Sequence, residues 1–458
     1  MLGLAAGLAG LALGRRWPVA QPLVLVLGIG LLAIGRGRRR FLFAVGCVVL
    51  GMGLGWWRGA VFRQQVLPYE SLYSRNVTVQ VTAKTDGTYA TTSGNLGFDG
   101  GDVHVLSPED MKLPGVLKLE TRGLPAVFRG DRVEVTGQLY PAGGSKQGSI
   151  KFASGWLLTR NLNWLEKTRL RFGSSMLTVL PEPQASFGLG LLVGQRNTLP
   201  ESVSEQLSMV GLTHIIAVSG YNLTIIVRFM GKRWGRSKYQ TLVLSVFLIT
   251  IFVLITGFSA SIVRASIVSM LSLAAWYYGR AIKPMLILLL SGAITAGWYP
   301  VYVWSDIGWY LSFFAFFGVL IVAPLVTAYF WKGREPRGLM PLVIESASAQ
   351  TMAAPIIMYI FKETSLIALP ANMLIVPLVP LAMLLSAIGA AGGVLAPGLG
   401  PWLGWPAQIL MGYMLQVVDL LSRLPHAIFP YALPGPLMVG FYVFTGLACW
   451  RLWVKTKP

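Results

Sequence analysis

Residues 211 to 222 read Gly-Leu-Thr-His-Ile-Ile-Ala-Val-Ser-Gly-Tyr-Asn, which sets His214, Ser219, Tyr221 and Asn222 inside apolar sequence. A second polar cluster, Thr256-Gly-Phe-Ser-Ala-Ser-Ile-Val-Arg-Ala, carries Ser259, Ser261 and Arg264. The chemistry these types offer at membrane depth is hydrogen bonding and one fixed positive charge. A bilayer has no water to satisfy them, so they need protein partners, a wet cavity or a functional role. On an unbroken helix His214, Tyr221 and Asn222 share one face and Ser219 lies nearer the opposite one, but Gly211 and Ser219-Gly220 are candidate breaks. Two readings of this string stand side by side: a polar hinge packed between helices, and the lining of a pore. Arg264 requires a carboxylate, water or phosphate; Asp306, Glu345 and Asp419 are the internal carboxylates available to it, and Asp306 reads equally well as a helix-end residue.

Catalytic and cofactor chemistry is poorly served. The three histidines, His104, His214 and His426, are scattered and form no metal-ligating string, so no metal or cofactor is expected. An intramembrane serine protease built on Ser259 would need a later base, and only His426 follows it, without an evident oxyanion partner. No G-x-x-x-x-G-K-[ST] loop is present, and Gly188 and Gly190 follow no strand. The chain reads as a non-enzyme without its own motor.

The elements that must position these residues belong to a membrane. Of 458 residues, 54% are hydrophobic and 12% charged, and mean hydropathy is +0.62. The formal net charge is +20. Its excess sits in short loops, at 36–40, 232–238, 332–337 and 451–457, as the positive-inside rule leads one to expect. Attraction of a polyanion is the second reading of the same charge. Cys47 and Cys449 both lie in apolar runs and act as small fillers.

The expected fold is a polytopic α-helical membrane protein with an inserted extracytoplasmic, all-β, OB-like barrel. Residues 1–62 hold N-terminal membrane helices, with apolar runs at 2–13, 22–34 and 41–57; only the third is comfortably long enough to span, and it is expected to run outward. Residues 63–160 alternate with period two, and strands are predicted from Val77, Gly115, Arg132 and Ser149, punctuated by Gly-Asn, Asp-Gly-Gly and Gly-Gly-Ser clusters. About five strands in some 100 residues suit a small Greek-key barrel. Tyr89, Phe98, Tyr140 and Trp156 are either core aromatics or platforms for bases. Residues 161–204 hold an amphipathic interfacial helix and a second helix, Gln184 to Val193, ending at Gly194. Residues 205–458 hold the channel region, with spans near 208–230, 240–257, 260–278, 283–299, 308–330, 341–361, 364–394 (broken by prolines), 403–424 and 436–453.

These motifs, in this order, resemble the ComEC-type competence proteins, membrane channels that internalise DNA in natural transformation. The matching strings are Gly211 to Gly220, Thr256 to Ala265, Trp309-Tyr-Leu-Ser-Phe-Phe-Ala-Phe-Phe-Gly318 and Pro370-Ala-Asn-Met-Leu-Ile-Val-Pro-Leu-Val-Pro380. The sequence departs at Ala260, where the family usually has proline, and at Tyr221-Asn222, where it has leucine-histidine. The resemblance implies a channel in the bacterial plasma (inner) membrane that transports single-stranded DNA to the cytoplasm along His214, Ser219, Tyr221, Asn222, Ser259, Ser261 and Arg264. It implies as partners the lipid bilayer, a DNA receptor outside the membrane, a cytoplasmic ATPase/helicase or single-strand-binding proteins, and a separate nuclease. Many relatives carry a metallo-β-lactamase-like domain after the channel; no such domain is expected before Pro458. A secondary transporter or flippase for a smaller solute or lipid is the competing reading.

Overall fold

The computed structural model describes residues 1–16, 22–35, 40–89, 95–160, 164–194, 199–216, 237–256, 260–281, 283–332, 336–338, 340–396, 398–425 and 427–456. It divides into two compact units: residues 1–168 with 289–310, and residues 169–288 with 311–458.

In the first unit, α1 (Leu2–Arg16) and α2 (Pro22–Gly35) both pack along the longer α3 (Arg40–Val66). Glycine spacing decides the α1–α3 contact. A β-carbon on Gly51 would land on the carbonyl oxygen of Gly3, and one on Gly55 on that of Gly7. Glycines recurring every three or four residues thus let two backbones touch along a seam, the usual device for joining helices where apolar side chains gain nothing by leaving lipid.

The barrel follows α3. Strands β1 (Asn76–Ala83), β3 (Leu96–Ser107), β4 (Met111–Arg122), β5 (Arg132–Pro141) and β6 (Gly148–Thr159) close in the order β1-β5-β6-β4-β3-β1, and the two-residue β2 (Thr88–Tyr89) extends β3. All pairings are antiparallel except β4 with β6. That is the topology of a five-stranded Greek-key barrel of the OB type. Alternate residues of β1, Val77, Val79 and Val81, point inward and meet Phe98, Leu117, Leu119, Val133, Val135 and Ile150. The four strands predicted from the sequence all form.

The sequence reading erred at Asp99-Gly100-Gly101. These residues do not turn the chain; they lie inside β3. A β-carbon on Gly100 would sit 2.8 Å from the Val81 side chain and 2.9 Å from that of Leu119, and the β3–β4 register shifts between Gly101 and Val103. The glycines mark a crowded, bulged bend in a barrel strand.

The barrel is fastened within its own unit. Tyr299 Oη donates to Ser145 O and Gln147 Oε1 at 3.0 and 2.9 Å, Tyr73 Oη donates to Gln147 O at 2.7 Å, and Ser305 Oγ donates to Gly144 O. Burial, and then the Glu70 carboxylate, push the Tyr73 hydroxyl above the ordinary phenol range, so it stays protonated and keeps donating. Arg58 donates to the carbonyls of Gly297 and Trp298, the last residues of a helix, while its guanidinium stacks on Phe62.

In the second unit the core is organised by the helix Gln184–Val193, almost all of which is buried, as expected for a helix apolar on every side. It stops at Gly194, whose φ of +74° allows its N–H to reach Gly190 O. Gly188 lies against Met176, Ser386 and Met411. The helix Trp164–Val179 departs from the interfacial expectation in its last turns. Ser175, Met176 and Val179 are buried, and Ser175 Oγ donates to Ala390 O at 2.8 Å, so this end belongs to the protein core.

Five described stretches are long and apolar enough to cross a membrane: Leu42–Leu72, Ala260–Tyr277, Ile307–Trp331, Ala368–Leu395 and Gly435–Thr456. Two of them are irregular. A π-helical stretch, Gly318–Val322, interrupts the third where Gly318 meets Ser348 O and Ala349. A 3-10 turn, Val376–Leu378, interrupts the fourth at Pro377. The protein is therefore a polytopic helical membrane protein with an inserted closed β-barrel.

Candidate channel-lining site

His214 lies on a single helical turn, Thr213–Ile216. Leu212, Ile215 and Ile216 are buried, whereas Thr213 and His214 are exposed. The turn is thus anchored by its apolar side and presents its polar side. The imidazole Nδ1–H donates to Gly211 O at 3.1 Å. Gly211 fixes the start of this turn: its φ is +72°, and a β-carbon there would meet Ala368 at 2.7 Å and Ser365 at 3.2 Å. Gly211, at the start of the first polar motif, is therefore packed on the start of the helix Ala368–Ile375, which carries part of the Pro370–Pro380 motif.

Arg264 sits in the second turn of the helix Ala260–Tyr277 and is 4% exposed, with Ile262, Ala265 and Ser266 buried beside it. Ser261, one turn earlier on the same face, is half-buried. The arginine faces protein and not lipid, as a charge at this depth must. Among its candidate partners, Asp306 is occupied as a helix cap: its Oδ1 accepts from Gly308 N–H at 3.0 Å. Asp419 accepts from Gln206 Nε2 at 2.8 Å and pairs with Arg423 at 2.7 Å. Glu345 is half-buried. Ser219, Tyr221, Asn222, Ser259 and His426 lie outside the described residues.

Sequence reasoning passed over Asn372. It is 8% exposed, sits in the Pro370–Pro380 string just before the 3-10 break, and its Oδ1 has no hydrogen-bond donor among the described residues. Ser365 Oγ and Gln350 Oε1 are likewise unsatisfied among the described residues. The usable signal was an amide between two prolines in an otherwise apolar run. No group of three or more His, Cys, Asp or Glu residues is placed to hold a metal among the described residues.

Comparison with known proteins bears on these motifs. A family model described as "Competence protein" matches residues 191–456, more than half of the chain. The chain is 24% identical over 289 residues to ComE operon protein 3 of Bacillus subtilis (strain 168), an alignment covering 61% of this chain and 35% of that relative. The chain thus spans about a third of the length of this curated relative. No solved structure matches.

Proposed function

The chain belongs to the competence protein family, and on that premise we propose that it forms the path by which single-stranded DNA passes from outside into the cytoplasm during natural transformation. The protein is a multi-pass membrane protein. Its barrel is extracytoplasmic, entered from α3, which leaves the basic residues at 36–40 on the inner side.

The physical problem is to move one negative charge per nucleotide through hydrocarbon, where a bare phosphate is prohibitively costly. A hydrated path with neutral donors and few cations meets that need, because strong sites would hold the strand instead of passing it. His214, Ser219, Tyr221, Asn222, Ser259 and Ser261 supply the hydrogen-bonding groups in this proposal, and Arg264 the fixed charge. Of the internal carboxylates, Glu345 is the one proposed to balance that charge, because Asp306 caps a helix and Asp419 pairs with Arg423. The observation that carries the reading is the exposure of Thr213 and His214 on a turn whose other residues are buried, in the first motif of the matched region. Basic loops on the inner side then receive the emerging strand. An outside DNA receptor, a cytoplasmic ATPase or strand-trapping protein, and a separate nuclease complete the pathway in this reading.

Purified protein in liposomes tests the class. Passage of labelled single-stranded DNA into the lumen, down a gradient of a trapped single-strand-binding protein, supports the channel. Passage of small solutes or lipid flipping without DNA would instead establish a transporter, the reading that the interrupted helices favour.

A further inference from the structure

Large apolar side chains exposed on a membrane helix say little, because lipid covers them. On the water-facing barrel the same exposure is informative. Strand β6 carries Phe152, Trp156 and Leu158 on its outer face, 62%, 70% and 44% exposed. From this row we infer a binding surface for single-stranded DNA along β6, outside the membrane path and on a different side of the barrel from the one OB barrels generally use. The inference rests on the proposed DNA passage and adds to it the surface where the strand is first held.

The backbone is built to create the row. Both neighbours of β6 slip register at residues 151–152: Leu119 pairs with Ile150 but Thr121 with Ala153, and Leu139 pairs with Ile150 but Thr136 with Ser154. The slip is a bulge, and it lets consecutive residues Lys151 and Phe152 both face solvent. Phe152 adopts φ +53°, a conformation rare and costly for a bulky residue. Water exposure gives no reason to tolerate that strain; a ligand for the ring does.

The charges around the row point to a polyanion. Arg122 stacks on Phe152 at 5.2 Å and is steadied by Asn95 Oδ1 at 3.1 Å. Lys151 is adjacent in sequence, and Arg132 pairs with Thr159 beyond Leu158. Among the described residues none of these three cations forms an ion pair with a carboxylate. Glu134, across from Trp156, is already held by Gln80 Nε2 at 3.1 Å. Phe152 and Trp156 are four residues apart, about 13 Å along a strand. A single row of rings with cations at both ends fits an extended polymer whose bases stack and whose phosphates are neutralised. It does not fit a broad protein interface, which needs a patch.

The usual OB binding face, the second and third barrel strands, is here β3 and β4, and it is unsuited. Their described outward positions offer no exposed aromatic ring. Three lysines on and beside this face are bound to carboxylates, Lys118 to Glu120 at 2.9 Å, Lys84 to Asp102 at 2.6 Å and Lys146 to Asp99, and His104 Nε2 contacts Asp110 Oδ1 at 2.5 Å.

The test uses the full chain in nanodiscs and a fluorescein-labelled oligothymidylate read by anisotropy. Phe152→Ala and Trp156→Ala should each weaken binding about tenfold, Phe152→Tyr and Trp156→Phe should retain it, and Lys112→Ala with Lys118→Ala should leave it unchanged. Arg122→Ala, Lys151→Ala and Arg132→Ala should each lower the salt slope by about 0.7. Equal affinity in the double alanine variant, or loss confined to the Lys112/Lys118 variant, overturns the assignment. In a chain freed of Cys47 and Cys449, Trp156→Cys should react with a membrane-impermeant maleimide and be protected by the oligonucleotide. Absence of reaction without DNA would show the row seated on lipid and overturns it as well. Normal liposome passage with unaltered binding in the ring variants sinks this surface alone; intact binding with no passage sinks the channel reading alone.

Discussion

A β-carbon placed on Gly211 would lie 2.7 Å from the Ala368 methyl group, so the turn bearing His214 and the start of the proline-interrupted helix meet at a distance that leaves no room for a β-carbon. Two independent costs follow for Gly211→Ala: the positive φ and the clash. Together they should remove about 2–4 kcal/mol of stability. Thermal unfolding in detergent should show it, and Ala368→Gly in the same chain should recover only the steric part. Complete recovery would mean that the backbone conformation carries no cost.

The two residues proposed for the path should fail differently. His214 is exposed, so His214→Ala should cut entry of labelled DNA into a nuclease-protected state at least tenfold while leaving the unfolding midpoint and surface DNA binding in place. Arg264 is buried, so Arg264→Ala should lose entry and also about 3–5 kcal/mol of stability by disrupting what surrounds the charge. Uptake at the normal level in correctly inserted His214→Ala protein would remove that residue from the path.

The α1–α3 seam should tolerate little. Gly55→Leu places a side chain where the carbonyl of Gly7 already sits, and α1 should separate from α3. Hydrogen exchange read by mass spectrometry should then show α1 amides exchanging far faster, with Gly55→Ala intermediate. Unchanged protection would mean that the two backbones can part without loss.

Gln147 is a shared acceptor inside the first unit. Its Oε1 takes Val116 N–H at 2.8 Å and the Tyr299 hydroxyl at 2.9 Å. Gln147→Ala strands a backbone donor and should cost about 1–3 kcal/mol, whereas Tyr299→Phe removes one donor and should cost about 1 kcal/mol. Exchange rates of the β4 amides should rank the two variants in that order; the reverse order would contradict the assignment.

The parts legible in the sequence are those written as periodicity. The inward valines of β1, the end of the buried helix at Gly194 and the break near Pro377 all announce themselves through local pattern. What was not legible depends on partners distant along the chain. Asp99-Gly100-Gly101 looks like a turn until Val81 and Leu119 are seen to crowd Gly100. The close packing of α1 on α3 is hidden because its glycines make sense only when both helices are viewed together. Phe98 proved to be core and Trp156 exposed; alternation from the buried Ile150 would have put Trp156 inside, but the bulge at 151–152 shifts the phase along β6. The side chain of Tyr89 lies outside the described residues. Asn372 escaped notice because a lone amide in an apolar run has no period at all.

The first unit is discontinuous: Trp304 Nε1 donates to Leu11 O across 293 residues, and Arg15 reaches Trp304 O. During synthesis the early helices and the barrel must wait, incomplete, while more than a hundred intervening residues emerge, an interval of roughly ten seconds at ordinary elongation rates. Throughout that interval the glycine-lined helices lack their closing strap, so insertion machinery has to shelter an unfinished amino-terminal half until the ribosome delivers its missing piece.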